Sequence, residues 1–167
     1  MNRRRLLQLG LGAGAVFAVA GATVALLPPA YEGGRLSPAS RGLFAALAPV
    51  LLDGSLPTGA AAPQALSAHL GRLDATIAGL PRHVRDELGT LLQLLSTAPG
   101  RLLLAGTPSD LTVLSGAALA EVLSSMRRSG SELRQQTYHA LRELTVGSYF
   151  ADPSTWAALG YPGPVRL

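Results

Sequence analysis

The sequence predicts an all-α protein, with a helical bundle of about five or six helices behind an N-terminal signal or anchor helix. Hydrophobic residues make up 48% of the 167 residues but aromatic residues only 5%, and Ala and Leu predominate, which favours helices over strands. Apolar residues recur at helical spacing between breaks rich in Pro and Gly, and no stretch alternates apolar and polar residues over a useful length. A chain of this length has room for one domain.

Composition divides the chain into four segments. We expect residues 1–27 to be a twin-arginine signal or N-terminal membrane anchor and residues 28–37 to be a linker. We expect residues 38–159 to form the helical bundle domain and residues 160–167 to form a C-terminal arm rich in Gly and Pro.

The N-terminal segment fits the pattern of a twin-arginine export signal. In residues 2–8 a polar residue precedes Arg3 and Arg4, and the apolar pair Leu6 and Leu7 follows. Residues 6–27 are uncharged and rich in Gly and Ala, as is usual for such a signal. These features predict recognition by the twin-arginine translocase, and a signal of the general secretory route is the alternative.

The fate of this segment after delivery stays open between two outcomes. Small residues at 18–20 and again at 20–22 offer cleavage sites, and cleavage would leave a periplasmic protein. The segment is also long enough to stay as an anchor, since 22 helical residues reach about 33 Å and a bilayer core is about 30 Å thick. A retained segment 6–27 would hold the protein in the inner membrane, facing the periplasm.

The first half of the domain shows clear helix boundaries. Ser37 and Pro38 suit the N-cap and the first position of a helix that Pro49 should kink or shorten. After a loop at 53–63, a second apolar stripe runs to Gly79, and Pro81 starts a third helix. The second stripe consists of Leu66, Leu70, Leu73 and Ile77.

The second half contains one ambiguous run and three further helices. Residues 102–104 are apolar but of uncertain type, and Asp110 is a candidate cap for a helix at 111–128 that is apolar almost all round. Ser129 and Glu132 have capping-box spacing for a helix that runs to about Gly147. That helix should turn inward Leu133, Ala140, Leu141 and Leu144. A short terminal helix should begin at Asp152-Pro153 and carry Trp156 and Leu159.

The residues that could carry chemistry are sparse, so we expect no catalytic, cofactor-binding or metal-binding residue in this chain. Cysteine is absent, which excludes disulfides, thiolate metal sites and covalently attached c-type haem. Beyond residue 5 the chain carries 11 Arg against 10 acidic residues, a balance that does not suit nucleic-acid binding. The three histidines lie on different helices, and we expect each at the surface or its boundary.

Aromatic residues concentrate near the C-terminus, where five of the eight fall between residues 138 and 161. One interpretation is structural: a terminal helix folds back with Trp156, while Tyr149 and Phe150 complete the core. The other is functional: residues 160–164 form an arm that docks on another protein with Tyr161 as anchor. The residues predicted to bind a partner are Tyr149, Phe150, Trp156, Tyr161, Pro162, Gly163 and Pro164.

These C-terminal residues, behind an arginine-pair signal, carry a family resemblance. The matching segments are Tyr138-x-x-Leu141-x-x-Leu144, Tyr149-Phe150-x-x-Pro153-x-x-Trp156 and Gly160-Tyr161-Pro162-Gly163-Pro164. The chain resembles the small-subunit family of gluconate 2-dehydrogenase, also known as subunit 3, which is found with bacterial FAD-dependent sugar and alcohol dehydrogenases. The resemblance is strongest over 131–164 and the N-terminus, and over 35–128 it depends on length and helicity alone.

The resemblance implies a non-catalytic accessory subunit. Its partner would be a large subunit of the glucose-methanol-choline (GMC) flavoprotein class that contains the FAD and lacks its own signal, and a multihaem cytochrome c subunit would accept the electrons. The small subunit would help fold this partner, export it by the twin-arginine route and, if the signal is retained, anchor it. The lack of Cys departs from small subunits that are linked to their partner by a disulfide. The alternative is a membrane-tethered periplasmic binding or scaffold module without a dehydrogenase partner.

Overall fold

The computed structural model describes residues 27–163, and within them the all-α prediction is confirmed. Six α-helices follow one β-hairpin, and the hairpin consists of β1 Tyr31–Glu32 and β2 Arg35–Leu36. The helices are α1 Pro38–Leu51, α2 Ala62–Ala78, α3 Arg82–Leu95, α4 Ala98–Ala105, α5 Gly116–Arg127 and α6 Glu132–Phe150. Short 3₁₀ helices lie at Gly59–Ala61 and Pro153–Leu159. The predicted signal or anchor helix, with Arg3, Arg4, Leu6 and Leu7, lies outside the described residues.

The segment predicted as a linker at 28–37 forms the hairpin instead. Tyr31 pairs with Leu36, and Glu32 pairs with Arg35. Gly33 and Gly34 make the turn with φ of 58° and 81°, a conformation that two consecutive glycines adopt without steric cost. Ala30 and Leu36 are buried, so the hairpin belongs to the domain.

Helix α1 begins as its sequence predicts. The Ser37 side chain accepts a hydrogen bond from the Ser40 amide at 3.3 Å, and Pro38 occupies the first turn. Pro49 lies in the last turn and does not end the helix at once, since Val50 and Leu51 still follow it as helical residues. The helix continues to Leu51.

Helices α4 and α5 differ most from the sequence-based expectation. The ambiguous run at 102–104 lies on α4, which Thr97 caps by accepting a hydrogen bond from the Gly100 amide. Asp110 does not cap α5; its carboxylate accepts from the Thr112 amide at 2.9 Å and closes a local turn. The cap is Ser115, five residues later.

Helix α5 is also less buried than predicted. Leu119, Leu123 and Met126 face the core, whereas the small residues on the opposite face are exposed. Alanine allows either environment, so an almost continuous run of small and apolar residues did not distinguish a buried helix from an amphipathic one. The helix is therefore a wall of the bundle and not its centre.

The long helix α6 contacts α1, α2, α4 and α5. The predicted capping box is wrong, because the Ser129 hydroxyl accepts from the Ser131 amide and Ser131 occupies the N-cap position. Leu141 is fully buried as predicted, but Leu133 is 39% exposed. Arg134 explains the orientation of this first turn, since its guanidinium donates to the carbonyls of Leu102 and Leu103 on α4.

Two apolar clusters stabilise the bundle. The larger one has at its centre side chains with no exposed surface, namely Phe44, Leu47, Leu73, Ile77, Met126 and Leu141. The smaller one joins Ala48 and Leu52 at the end of α1 to Tyr149 near the end of α6. Burial of each large apolar side chain contributes about 1.5–3 kcal/mol. The smaller cluster fixes the C-terminal end of α6, from which the candidate site is built.

Candidate partner-binding surface at the C-terminus

Tyr149 is a core residue. Its ring is 5% exposed, and its hydroxyl donates to the Ser55 carbonyl at 2.7 Å, which joins α6 to the loop after α1. Burial removes Tyr149 from the predicted partner-binding set and favours the alternative in which it completes the core. Phe150 follows it, packs edge-on against the Tyr149 ring at 5.1 Å between centroids, and is half-buried.

Trp156 lies at the centre of the C-terminal segment. The 3₁₀ helix Pro153–Leu159 carries it back toward the end of α6, where the indole N–H donates to the Phe150 carbonyl at 2.7 Å. Its ring is half-buried. The predicted terminal helix is thus present at the predicted residues, with 3₁₀ geometry.

The start of the predicted arm folds onto Trp156. Gly160, with φ of 67°, reverses the chain, and the Tyr161 amide donates to the Trp156 carbonyl at 3.2 Å. The rings of Tyr161 and Trp156 lie 5.3 Å apart, tilted by 59°. A Cβ on Gly163 would lie 3.5 Å from the indole, so this glycine also packs on it. Residues 160–163 of the predicted arm therefore lie against their own domain, and Pro164 lies outside the described residues.

The folded segment still presents apolar side chains to solvent. Leu159 is 57% exposed and Tyr161 is 48% exposed, and the half-buried rings of Phe150 and Trp156 belong to the same segment. We call Phe150, Trp156, Leu159 and Tyr161 the aromatic patch. Apolar side chains that are left partly exposed on one short segment are typical of a protein-binding surface.

Polar contacts hold this patch against the bundle. The Arg72 guanidinium on α2 donates to the Asp152 carboxylate at 2.9 Å and lies 5.8 Å from the centre of the Tyr149 ring. Asp152 also accepts hydrogen bonds from Ser154, and these bonds, with the Arg72 charge as a smaller cause, hold the pKa of Asp152 below its usual value. The carboxylate therefore stays charged at neutral pH and fixes the start of the 3₁₀ helix.

His69 lies beneath Tyr149 with no exposed surface, against the expectation of a surface or boundary position. Neither ring nitrogen has a hydrogen-bond partner among the described residues. Burial, together with the nearby charge of Arg72, lowers the pKa of His69 from 6.5 to about 4. The missed signal was spacing, because His69 falls three residues after Leu66 and four before Leu73 on the apolar stripe of α2. His83 and His139 are exposed.

Residues 27–163 contain no group of three or more His, Asp or Glu side chains placed to hold a metal ion. None of the helices that the structure describes has the length and apolarity needed to cross a bilayer. No protein-family model, curated protein or solved structure matches the chain. The site is a partly exposed aromatic patch on a C-terminal segment that hydrogen bonds fix to the helical bundle.

Proposed function

We propose that the chain is a non-catalytic small subunit that helps fold and export a flavin-dependent dehydrogenase of the GMC class. The twin-arginine route would carry both proteins, and residues 6–27 would anchor the complex if they are retained. The FAD would belong to the partner, and a multihaem cytochrome c subunit would accept the electrons. The observation that carries the proposal is the aromatic patch, exposed on a segment that is fixed to the bundle.

The patch suits a permanent protein partner. Trp and Tyr contribute most to binding when they stand on a preorganised support, since little conformational freedom is then lost on association. Three contacts supply that support: the Arg72–Asp152 ion pair, the hydrogen bond from the Trp156 indole to the Phe150 carbonyl, and the hydrogen bond from the Tyr161 amide to the Trp156 carbonyl. The lack of Cys means that packing and hydrogen bonds alone would hold the complex.

Export is the first test. Changing Arg3 and Arg4 to Lys is expected to leave this chain and its flavoprotein partner in the cytoplasm, because the translocase recognises the guanidinium pair. Dehydrogenase activity and FAD are measured in periplasmic and cytoplasmic fractions. The matched control changes the other arginine pair, Arg127 and Arg128, to Lys and should leave export unchanged. Normal periplasmic activity in the Arg3/Arg4 variant would contradict the proposal.

Docking is the second test. Changing Leu159 and Tyr161 together to Ser is expected to weaken retention of the FAD-containing subunit about 30-fold, which corresponds to about 2 kcal/mol for one aromatic anchor. Both side chains are largely exposed, so the helical bundle should be unaffected, and circular dichroism checks this, because Tyr161→Ser also removes the ring that packs on Trp156. Association is measured by titration of the purified flavoprotein. The control is Val113→Ser, at an apolar residue that is 78% exposed outside the patch. Equal affinity of the two variants would exclude the patch as the docking surface.

A further inference from the structure

A second apolar feature lies between α3 and α6. It is a groove of about 380 Å³, separate from the aromatic patch. Its apolar lining consists of Leu80, Val84, Leu88, Leu91, Ala140 and Leu144, and one carboxylate from each helix, Glu87 and Glu143, borders it. The groove is open to solvent in the described part of the protein.

The two carboxylates make the border of the groove acidic. Neither Glu87 nor Glu143 forms an ion pair with any residue among 27–163, where the ion pairs are Arg41–Asp74, Arg72–Asp152 and Arg82–Asp86. An occupant with apolar side chains next to positive charges would match both the lining and the border.

The chain itself contains such a segment. Residues 3–5 are all Arg, and residues 6–11 contain Leu6, Leu7, Leu9 and Leu11 without any charge. Three guanidinium groups next to four leucines combine the charge and the apolar side chains that the groove requires.

The path of the chain allows this segment to reach the groove. Gln93 on α3 donates to the carbonyls of Leu27 and Pro28 at 3.3 and 3.1 Å, so the first described residues are fixed to the helix that forms one wall. They lie along the face of α3 that carries Gly89 and Gln93, opposite the groove. Docking of residues 3–11 requires the 15 residues 12–26 to span one helix diameter, about 10 Å, which is less than the roughly 20 Å mean span of a 15-residue linker.

We propose that residues 3–11 dock into the groove between α3 and α6 of the same molecule before the membrane machinery engages them. Leu6, Leu7 and Leu9 occupy the apolar lining, while Arg3–Arg5 approach Glu87 and Glu143. A tether of this length keeps the segment at a high effective concentration, so weak contacts suffice. This consequence depends on the proposed export route: the docked state withholds the arginine pair and its leucines from the translocase, so their release is a step at which export can be controlled.

The absence of Cys allows a direct test in the full chain. Leu9→Cys is combined with Ala140→Cys in the groove or with Ser125→Cys on the exposed face of α5, and each protein is made by cell-free synthesis at low concentration without membranes. A short bismaleimide is expected to join positions 9 and 140 within one chain about tenfold faster than positions 9 and 125, given the effective concentration of a docked tether. Proteolysis and mass spectrometry identify the joined peptides.

Charge reversal supplies the second arm. The double change Glu87→Arg and Glu143→Arg should lower the rate of cross-linking between positions 9 and 140 to the rate between positions 9 and 125. Changing Arg3, Arg4 and Arg5 to Glu in the same chain should restore the faster cross-linking. Equal rates at 140 and 125, or no product at either, would overturn the proposal. A product that joins two chains would overturn it in favour of a second copy as the occupant. The aromatic patch is unchanged in all these variants, so failure here would leave the proposed function standing.

Discussion

Replacing Asp74 by Ala is expected to lower the free energy of unfolding by about 3 kcal/mol, because its carboxylate joins three elements at a buried position. One oxygen accepts from the Leu36 amide of the hairpin at 2.9 Å, and the other accepts from the Arg41 guanidinium of α1 at 2.7 Å. Asp74 itself belongs to α2 and is 8% exposed. The substitution leaves the buried Leu36 amide without a partner. Urea unfolding of the full chain, followed by circular dichroism, measures the loss.

Two controls separate the buried contacts from simple loss of charge. Asp86→Ala removes a carboxylate whose ion pair with Arg82 is long, at 4.0 Å, and solvent-exposed, so the expected change is below about 0.5 kcal/mol. Asp74→Asn keeps an oxygen that can accept from the Leu36 amide and should fall between the two. If Asp74→Ala and Asp86→Ala destabilise the protein equally, the hairpin does not depend on the Asp74 carboxylate.

The role of Asp74 also illustrates what the sequence could not predict. Helix starts with one strong local signal, such as Ser37-Pro38, were predicted correctly, because a cap and its helix lie within four residues of each other. The hairpin was not predicted, since each strand has only two residues and its partner Asp74 lies 38 residues from Leu36. The start of α5 was predicted wrongly at Asp110, because the sequence does not show that Asp110 closes a turn with Thr112 and that Ser115 caps the helix.

The C-terminal site shows the same limit. Composition and the glycines and prolines indicated an aromatic segment with a short terminal helix, and both are present. The sequence did not distinguish buried Tyr149 from exposed Tyr161, because the position of Tyr149 depends on the Ser55 carbonyl, 94 residues earlier. Residues 160–163 fold onto Trp156 through a ring contact with Tyr161 and the hydrogen bond from the Tyr161 amide, contacts that the Gly and Pro content does not reveal.

Stability is expected to fall by about 3 kcal/mol as the pH decreases from 6.5 to 4, because the folded protein holds His69 with a pKa of about 4. Above pH 6.5 this histidine is neutral in both states and carries no pH-dependent cost. Between pH 6.5 and pH 4 the imidazole is protonated in the unfolded chain but stays neutral in the folded protein, so the free energy of unfolding decreases progressively. Below about pH 4 the loss no longer grows. Hydrogen bonds lower the pKa of both Asp110 and Asp152 from 3.8, which places their titration below this window.

Replacing His69 by Leu is expected to remove this acid sensitivity and to raise stability at pH 7 by about 1–2 kcal/mol. The imidazole buries two nitrogens without hydrogen-bond partners among the described residues, and leucine has a similar volume without that polar cost. Urea unfolding of the full chain at pH 4.5, 5.5 and 7 measures both effects. His83→Leu, at an exposed histidine of α3, is the matched control and should keep the original pH dependence. If His69→Leu loses as much stability between pH 7 and pH 4.5 as the parent does, His69 is not the cause of the acid sensitivity.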